Sequence, residues 1–236
     1  MEPGISLIMA TYHPDRVERA NALYDMLKEE SGMPVEVIVV CDNPKVTPLL
    51  KADILVPLQK RVGFTRAVNI GEKFANNRVL WWIDDYVIPQ KGWAPKAYKA
   101  FFEKFPDGMG IMELSMYATD CPKSLSTREY LYEKNNLNLL WPEYIHCGDT
   151  ELWHRANAEG KFYMYPEELW SRNKIFDACK VTSDKQRQWD LYVRAEREKN
   201  GWPNTAIPEL ARKMERWAIE SGDVSNYELY KNLYNL

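Results

Sequence analysis

No stretch of this chain stays apolar for anything near the roughly 20 residues a helix needs to cross a bilayer, and none of its 236 residues falls in a repeat or a low-complexity tract. The opening residues, Met1-Glu2-Pro3-Gly4, have neither the basic start nor the long apolar core of a secretory signal. The four cysteines, Cys41, Cys121, Cys147 and Cys179, make no C-x-x-C pair and no zinc-ligand rhythm. A chain of this length has no need of disulfide staples. Together these absences predict a cytoplasmic protein with reduced thiols. A large excess of either sign of charge is also missing, with 31 Lys/Arg against 34 Asp/Glu. A formal net charge of −3 excludes a surface coated for non-specific nucleic-acid binding and leaves room only for a local basic patch.

What the chain does contain is ordinary for a globular protein in its 45% hydrophobic and 28% charged residues. Its aromatic share of 13%, with nine Trp and fourteen Tyr, is high. Such rings fill cores or make platforms for sugars and bases. The length accommodates one large domain, or one domain with an appendage.

Apolar, β-branched runs alternate with segments of helical spacing. Ile5 to Ala10 reads as a strand ending in Thr11-Tyr12-His13-Pro14, and Asp15 to Glu30 as a helix stopped by Gly32. Val35 to Cys41 is a strand ending at Asp42, and Asp53 to Val56 a shorter one. A helix is predicted from Thr65 to Asn76, a strand over Val79 to Ile83, and a helix carrying Trp93, Ala97, Phe101 and Phe105. Gly110 to Met116 is a further strand. Residues 117–142 read as a long, partly helical excursion, followed by a helix from about Thr150 to Glu159 and a last strand from Lys161 to Tyr165. This alternation predicts an α/β fold with a parallel sheet and helices on both faces. After Pro166 the character changes, and 184–236 read as helical. Ile207, Leu210, Ala211, Met214, Trp217 and Ala218 form an apolar stripe there, and Ser225-Asn226-Tyr227-Glu228 is a capping box. The predicted division is a domain over 1–175 and a helical extension over 176–236.

Three strand ends, at Thr11, Asp42 and Asp84, would share one edge of such a sheet, the edge where open α/β sheets hold ligands. The run Val79-Leu80-Trp81-Trp82-Ile83 delivers Asp84-Asp85 there. Two adjacent carboxylates repel. Either they cap a turn, or they share a hard divalent cation with a substrate's phosphates. In Gly63-Phe64-Thr65-Arg66-Ala67-Val68-Asn69-Ile70-Gly71, the small residues Ala67 and Gly71 allow a helix to pack closely on the sheet, and Arg66 and Asn69 are candidates for phosphate or sugar. Asp149 stands where a helix starts, as an N-cap or a functional acid. His146 and His154 are candidate metal ligands or proton carriers.

These blocks occur in a particular order: Thr11-Tyr12, then Asp42, then Gly63-Phe64-x-x-Ala67-x-Asn69-x-Gly71, the acids after a strand, and Pro89-x-x-Gly92-Trp93. Glu143 and Gly148-Asp149-x-Glu151-Leu152-x-x-Arg155, with Gly160 and Pro166, complete the series. Over roughly residues 5–168 the pattern resembles the GT-A-fold glycosyltransferases, most closely glycosyltransferase family 2. The resemblance implies that Thr11 and Tyr12 lie against the nucleotide and that Asp42 contacts the base or ribose. It implies that Asp84 and Asp85 hold Mn²⁺ or Mg²⁺ on a sugar-nucleotide diphosphate, with a UDP-sugar as first choice of donor. Asp149 matches the general base of inverting members, and Arg155 the arginine one helical turn beyond it. His154 is the further candidate metal ligand. The sequence departs from the family pattern in three places. The acidic motif reads Asp84-Asp85-Tyr86, the glutamate of the "ED" pair is Gly148, and the proline often found before Thr11 is Ala10.

A metal on the diphosphate neutralises the leaving group, and a base on the opposite face of the sugar takes the acceptor proton. The chemistry is therefore consistent with inversion. Two other readings compete. A sugar-1-phosphate nucleotidyltransferase calls for a glycine- and base-rich loop after the first strand, which Thr11-Tyr12-His13-Pro14 lacks. A non-catalytic carbohydrate- or nucleic-acid-binding protein on a degenerate scaffold would also tolerate the altered acids. The acceptor is open between a glycan and hydroxymethylated DNA. Residues 180–216 carry nine Lys/Arg against six acids, with Trp189, Tyr192 and Trp202 interleaved. That combination suits an anionic acceptor, as it also suits a solvated helical surface.

Overall fold

The computed structural model describes residues 3–62, 64–85, 87–114, 124–135, 156–157, 159–166 and 169–172. The strands are β1 (Ile5–Thr11), β2 (Val35–Cys41), β3 (Ile54–Pro57), β4 (Val79–Ile83), β5 (Val87–Pro89), β6 (Ile111–Leu114), β7 (Ser124–Thr127), β8 (Phe162–Tyr165) and β9 (Trp170–Arg172). The helices are α1 (Val17–Glu30), α2 (Phe64–Glu72), α3 (Trp93–Lys104) and α4 (Arg128–Asn135). Seven strands form one sheet in the order β3-β2-β1-β4-β7-β6-β8, and β5 pairs with β9 in a separate two-stranded ribbon.

The expectation of a parallel sheet needs one correction. β1, β2, β3 and β4 run parallel, as do β6 and β8, but β7 is antiparallel to both of its neighbours, β4 and β6. β7 lies inside the predicted excursion. Its sequence, Ser-Leu-Ser-Thr, has too few large apolar side chains to stand out as a buried strand. The hydroxyls hold it in place instead: Ser126 donates to the Gly110 carbonyl and Thr127 to the Gly108 carbonyl, both at 2.8 Å. β5 and β9 were likewise not predicted as strands.

Alternating side chains along the central strands feed two cores. Leu7, Met9, Val37, Val39, Trp81 and Ile83 pack with Ala20, Leu23 and Leu27 of α1 and with Trp93, Ala97 and Phe101 of α3. Ile8, Ile38, Val40, Leu80 and Trp82 pack on the other face with Ala67 and Val68 of α2 and Tyr130 and Leu131 of α4. Helices therefore cover both faces, as the sequence predicts. The first core includes a triad of indoles, Trp81, Trp93 and Trp170, with ring centroids 4.7–4.8 Å apart. Trp170 ties β9, late in the chain, to the centre of the fold.

Two local features set the spacing of the helices. A Cβ on Gly71 would lie 2.7 Å from methyl carbons of both Ile8 and Val40, so α2 approaches β1 and β2 as closely as its small residues suggest. α2 also ends earlier than predicted. Lys73, Phe74 and Ala75 donate backbone bonds three residues back, a tightened turn in place of further α-helix. Gly92 has φ of 68°, in the left-handed region. It lets the backbone N–H groups of Gly92 and Ala94 meet the carbonyls of Glu30 and Ser31, joining the end of α1 to the start of α3. Among the described residues no helix is long and apolar enough to cross a membrane.

Candidate functional site

Register brings the predicted strand ends together. Thr11 is opposite Cys41, and Met9 is opposite both Val39 and Ile83. Thr11, Asp42 and Asp84 therefore leave three adjacent parallel strands at one edge, in the spatial order β2, β1, β4. This is the arrangement expected from the strand pattern, and it follows from the parallel direction of the three strands, whose C-terminal ends share one edge.

Around Asp42 the loops are fastened to one another. Its buried carboxylate accepts the Val62 N–H at 2.8 Å, just before α2 begins. Asn43 donates its side-chain amide to the Tyr12 carbonyl at 2.9 Å. The Arg61 guanidinium lies 4.4 Å from the centroid of the Tyr12 ring and donates to its hydroxyl at 3.3 Å. Arg61 is a residue of this edge that sequence reading did not single out. Only its position between two chain breakers, in a loop returning to the strand edge, pointed that way. Thr11 is 3% exposed, and its Oγ1 has no hydrogen-bond partner among the described residues. Arg66 and Asn69, both on α2, are half-buried.

The two acids after β4 have different surroundings. Asp84 is partly exposed, whereas Asp85 is 2% exposed. Arg19 Nη2 donates to Asp85 Oδ1 at 2.8 Å, and Arg16 Nη1 lies 3.7 Å from Oδ2. Burial pushes the Asp85 carboxyl above the usual carboxylate range. The charges of Arg16 and Arg19 oppose that push, and the neighbouring charge of Asp84 adds to it. Arg16 closes a single 3-10 turn (Pro14–Arg16) and Arg19 lies in the first turn of α1. Arg16 stands just before α1 and Arg19 within it, and both guanidinium groups reach Asp85. The two arginines close together at the start of α1 were the available signal that one of the strand-end acids, Asp85, would find cations within the fold.

Asp84 offers a hard oxygen donor at the strand edge, which suits a divalent cation that takes the rest of its shell from phosphates and water. Among the described residues no group of three or more His, Cys, Asp or Glu side chains is gathered for a metal. Tyr86, His146, Asp149, His154 and Arg155, and with them the predicted base, the third metal candidate and the whole 176–236 extension, lie outside the described residues.

No protein-family model matches the chain, and no curated protein matches it in sequence. Solved structures do match in fold. TarS 1-349 of S. aureus in complex with UDP aligns at TM-score 0.59 and 14% identity, over 94% of this chain and 74% of that one. Mannosyltransferase PcManGT from Pyrobaculum calidifontis in complex with GDP-Man and Mn²⁺ aligns at TM-score 0.57 and 12% identity, over 99% of this chain and 85% of that one. CMP:2-keto-3-deoxy-manno-octonic acid synthetase complexed with CTP aligns at TM-score 0.50 and 10% identity, over 81% of this chain and 99% of that one. Against the longer TarS chain the match spans 42% of its length. The seven-stranded sheet, its helices on both faces and these likenesses together identify the fold of this chain as GT-A-type.

Proposed function

We propose that this protein is a glycosyltransferase that moves a sugar from a nucleoside-diphosphate sugar to a hydroxyl acceptor, with Mn²⁺ or Mg²⁺ on the diphosphate and inversion at the anomeric carbon. One observation carries the reading: Thr11, Asp42 and Asp84 leave three adjacent parallel strands at the same edge of a fold shared with nucleotide-sugar proteins. TarS and PcManGT were solved with UDP and with GDP-Man and Mn²⁺ respectively. Both bases therefore belong in a donor screen, UDP first. In this reading Tyr12 and Thr11 face the nucleotide, Asp42 the ribose or base, and Arg66, Asn69 and Arg155 the phosphates or sugar. Asp84 meets the metal, and His154 is a further ligand candidate. Asp149 is the base, and the helical extension over 176–236 shapes the acceptor side, for a glycan or hydroxymethylated DNA.

The CTP complex of a synthetase among the fold neighbours favours a second reading, a nucleotidyltransferase. The loop after β1 argues against it. Thr11-Tyr12-His13 passes directly into the Pro14–Arg16 turn, without the glycine-rich cradle a triphosphate needs.

The test is a thermal-shift screen of UDP-, GDP- and TDP-sugars, each with and without Mn²⁺, followed by donor hydrolysis. Metal-dependent stabilisation by a sugar nucleotide is expected. Absence of any such shift, or stabilisation by nucleoside triphosphates alone, would count against the transferase. Asp149→Asn keeps size and capping ability and loses basicity. Turnover should fall by about 10²–10⁴-fold with donor binding retained, measured as initial rate and calorimetric affinity on the same preparation.

A further inference from the structure

The acids that end β4 are adjacent in sequence and unlike in environment. Asp85 is clamped from α1, with Arg19 at 2.8 Å on Oδ1 and Arg16 at 3.7 Å on Oδ2, and the side chains of Asp85 and Arg19 are both buried. A divalent cation seated on the same oxygens would face two guanidinium charges at close range in a poorly solvated place, where repulsion is weakly screened. Asp84 keeps a partly exposed side chain. One carboxylate is enough for Mg²⁺-type coordination when phosphates and waters complete the shell. The turn that leads from β4 to β5 is also fixed from its other side. Val87 begins β5, and β5 pairs residue for residue with β9, which Trp170 anchors in the core.

We propose that the two acids divide the work. Asp84 is the carboxylate that meets the cation and diphosphate. Asp85 is not a ligand: together with Arg19 it positions the turn that presents Asp84. The inference rests on the donor-site reading above for the role of Asp84, and on the ion pair alone for the role of Asp85.

The experiment uses the full chain and two readouts, the ligand-free thermal midpoint and the calorimetric affinity for UDP and GDP in the presence of Mn²⁺, taken at a temperature where each variant is folded by circular dichroism. Asp84→Asn should leave the midpoint within about 2 °C and weaken Mn²⁺-dependent nucleotide binding about tenfold or more. Arg19→Met breaks a buried pair, so the midpoint should drop by about 5 °C or more. Affinity in the folded protein should fall about tenfold, as for residues that orient a metal ligand. Arg19→Lys should recover most of that affinity. If Arg19→Met does not fold, Arg19→Gln, which retains a donor for Asp85, takes its place with the same expected direction.

Were Asp85 itself a ligand, removing Arg19 would release its carboxylate. Affinity would then hold or tighten in Arg19→Met while Asp85→Asn abolished it, and that result overturns the proposal. Lower midpoints with unchanged affinity across the Arg19 variants would make the pair merely structural and overturn the positioning role. If the wild-type chain binds neither nucleotide with Mn²⁺, the donor-site reading fails and the cation role of Asp84 falls with it. The ligand-free midpoints of Arg19→Met, Asp85→Asn and the double variant still decide the clamp. Losses that do not add uphold it, and additive losses remove it.

Discussion

The Thr11 hydroxyl is buried at the C-terminal edge of the parallel strands without a hydrogen-bond partner among the described residues. A buried, unpaired polar group costs about 1–3 kcal/mol, so such an atom is expected where a ligand supplies the missing partner. Thr11→Val keeps the shape and removes the hydroxyl. The ligand-free protein should be as stable as the wild type or up to about 1 kcal/mol more stable, read from urea unfolding. Nucleotide affinity should fall by about tenfold, the loss of one hydrogen bond. A stability loss with unchanged affinity would show that the hydroxyl serves the fold. Asp53 is the contrasting case, an acid just before the start of β3 whose carboxylate is held by Tyr24, Lys28 and the Val37 N–H. Burial pushes its carboxyl up, but Lys28, the Val37 N–H and the Tyr24 hydroxyl outweigh that and hold it below the usual range. Asp42, by contrast, follows the C-terminal end of its strand, β2.

At the scale of elements, α2 shows how a sequence pattern becomes a spacing. Ala67 and Gly71 predict close packing, and the methyl carbons of Ile8 and Val40 fill the space a side chain at Gly71 would need. Gly71→Ala gains up to about 1 kcal/mol of helix propensity. It loses about 1–3 kcal/mol to overpacking, because both obstructing groups are β-branched core side chains with little room to turn. The expected outcome is a lower thermal midpoint, with nucleotide affinity reduced as α2 is displaced from the Asp42 edge. A raised midpoint would mean that the core yields more easily than its geometry indicates. The long parallel strands and the amphipathic helices were legible because each carries its own periodicity. β7, β5 and β9 were not. They are three or four residues long, too short for a period-2 pattern; β7 takes its backbone hydrogen bonds from β4 and β6, and β5 and β9 supply theirs to each other.

For the molecule as a whole, Trp170 decides where the domain can be cut. It is fully buried against Trp81 and Trp93, and β9 closes the ribbon beside the acidic turn. A chain ending at residue 168 loses both and should fall in stability by about 3–5 kcal/mol, the usual cost of deleting a core tryptophan. A chain ending at residue 175 keeps them and should retain donor binding and donor hydrolysis. Transfer to the acceptor is expected to be lost in both, if residues 176–236 shape the acceptor side. Thermal unfolding, donor hydrolysis and acceptor transfer, measured separately on the two truncations, check each part. Equal stability of the two chains would contradict the role given to the indole triad.

The sequence by itself determined the α/β class, the central strands, the helices on both faces and the gathering of Thr11, Asp42 and Asp84 at one edge. These are consequences of hydrophobic periodicity and of the rule that parallel strands end on the same side. The tertiary structure alone decided which of two adjacent aspartates is sequestered. That choice depends on Arg16 and Arg19, which lie more than sixty residues earlier in the chain. The reversed strand β7, the Arg61–Tyr12 contact and the anchoring of β9 by three indoles are of the same kind. Each joins segments whose separation in sequence carries no local signal, so the outcome rests on which groups remain to be satisfied once the long elements have packed.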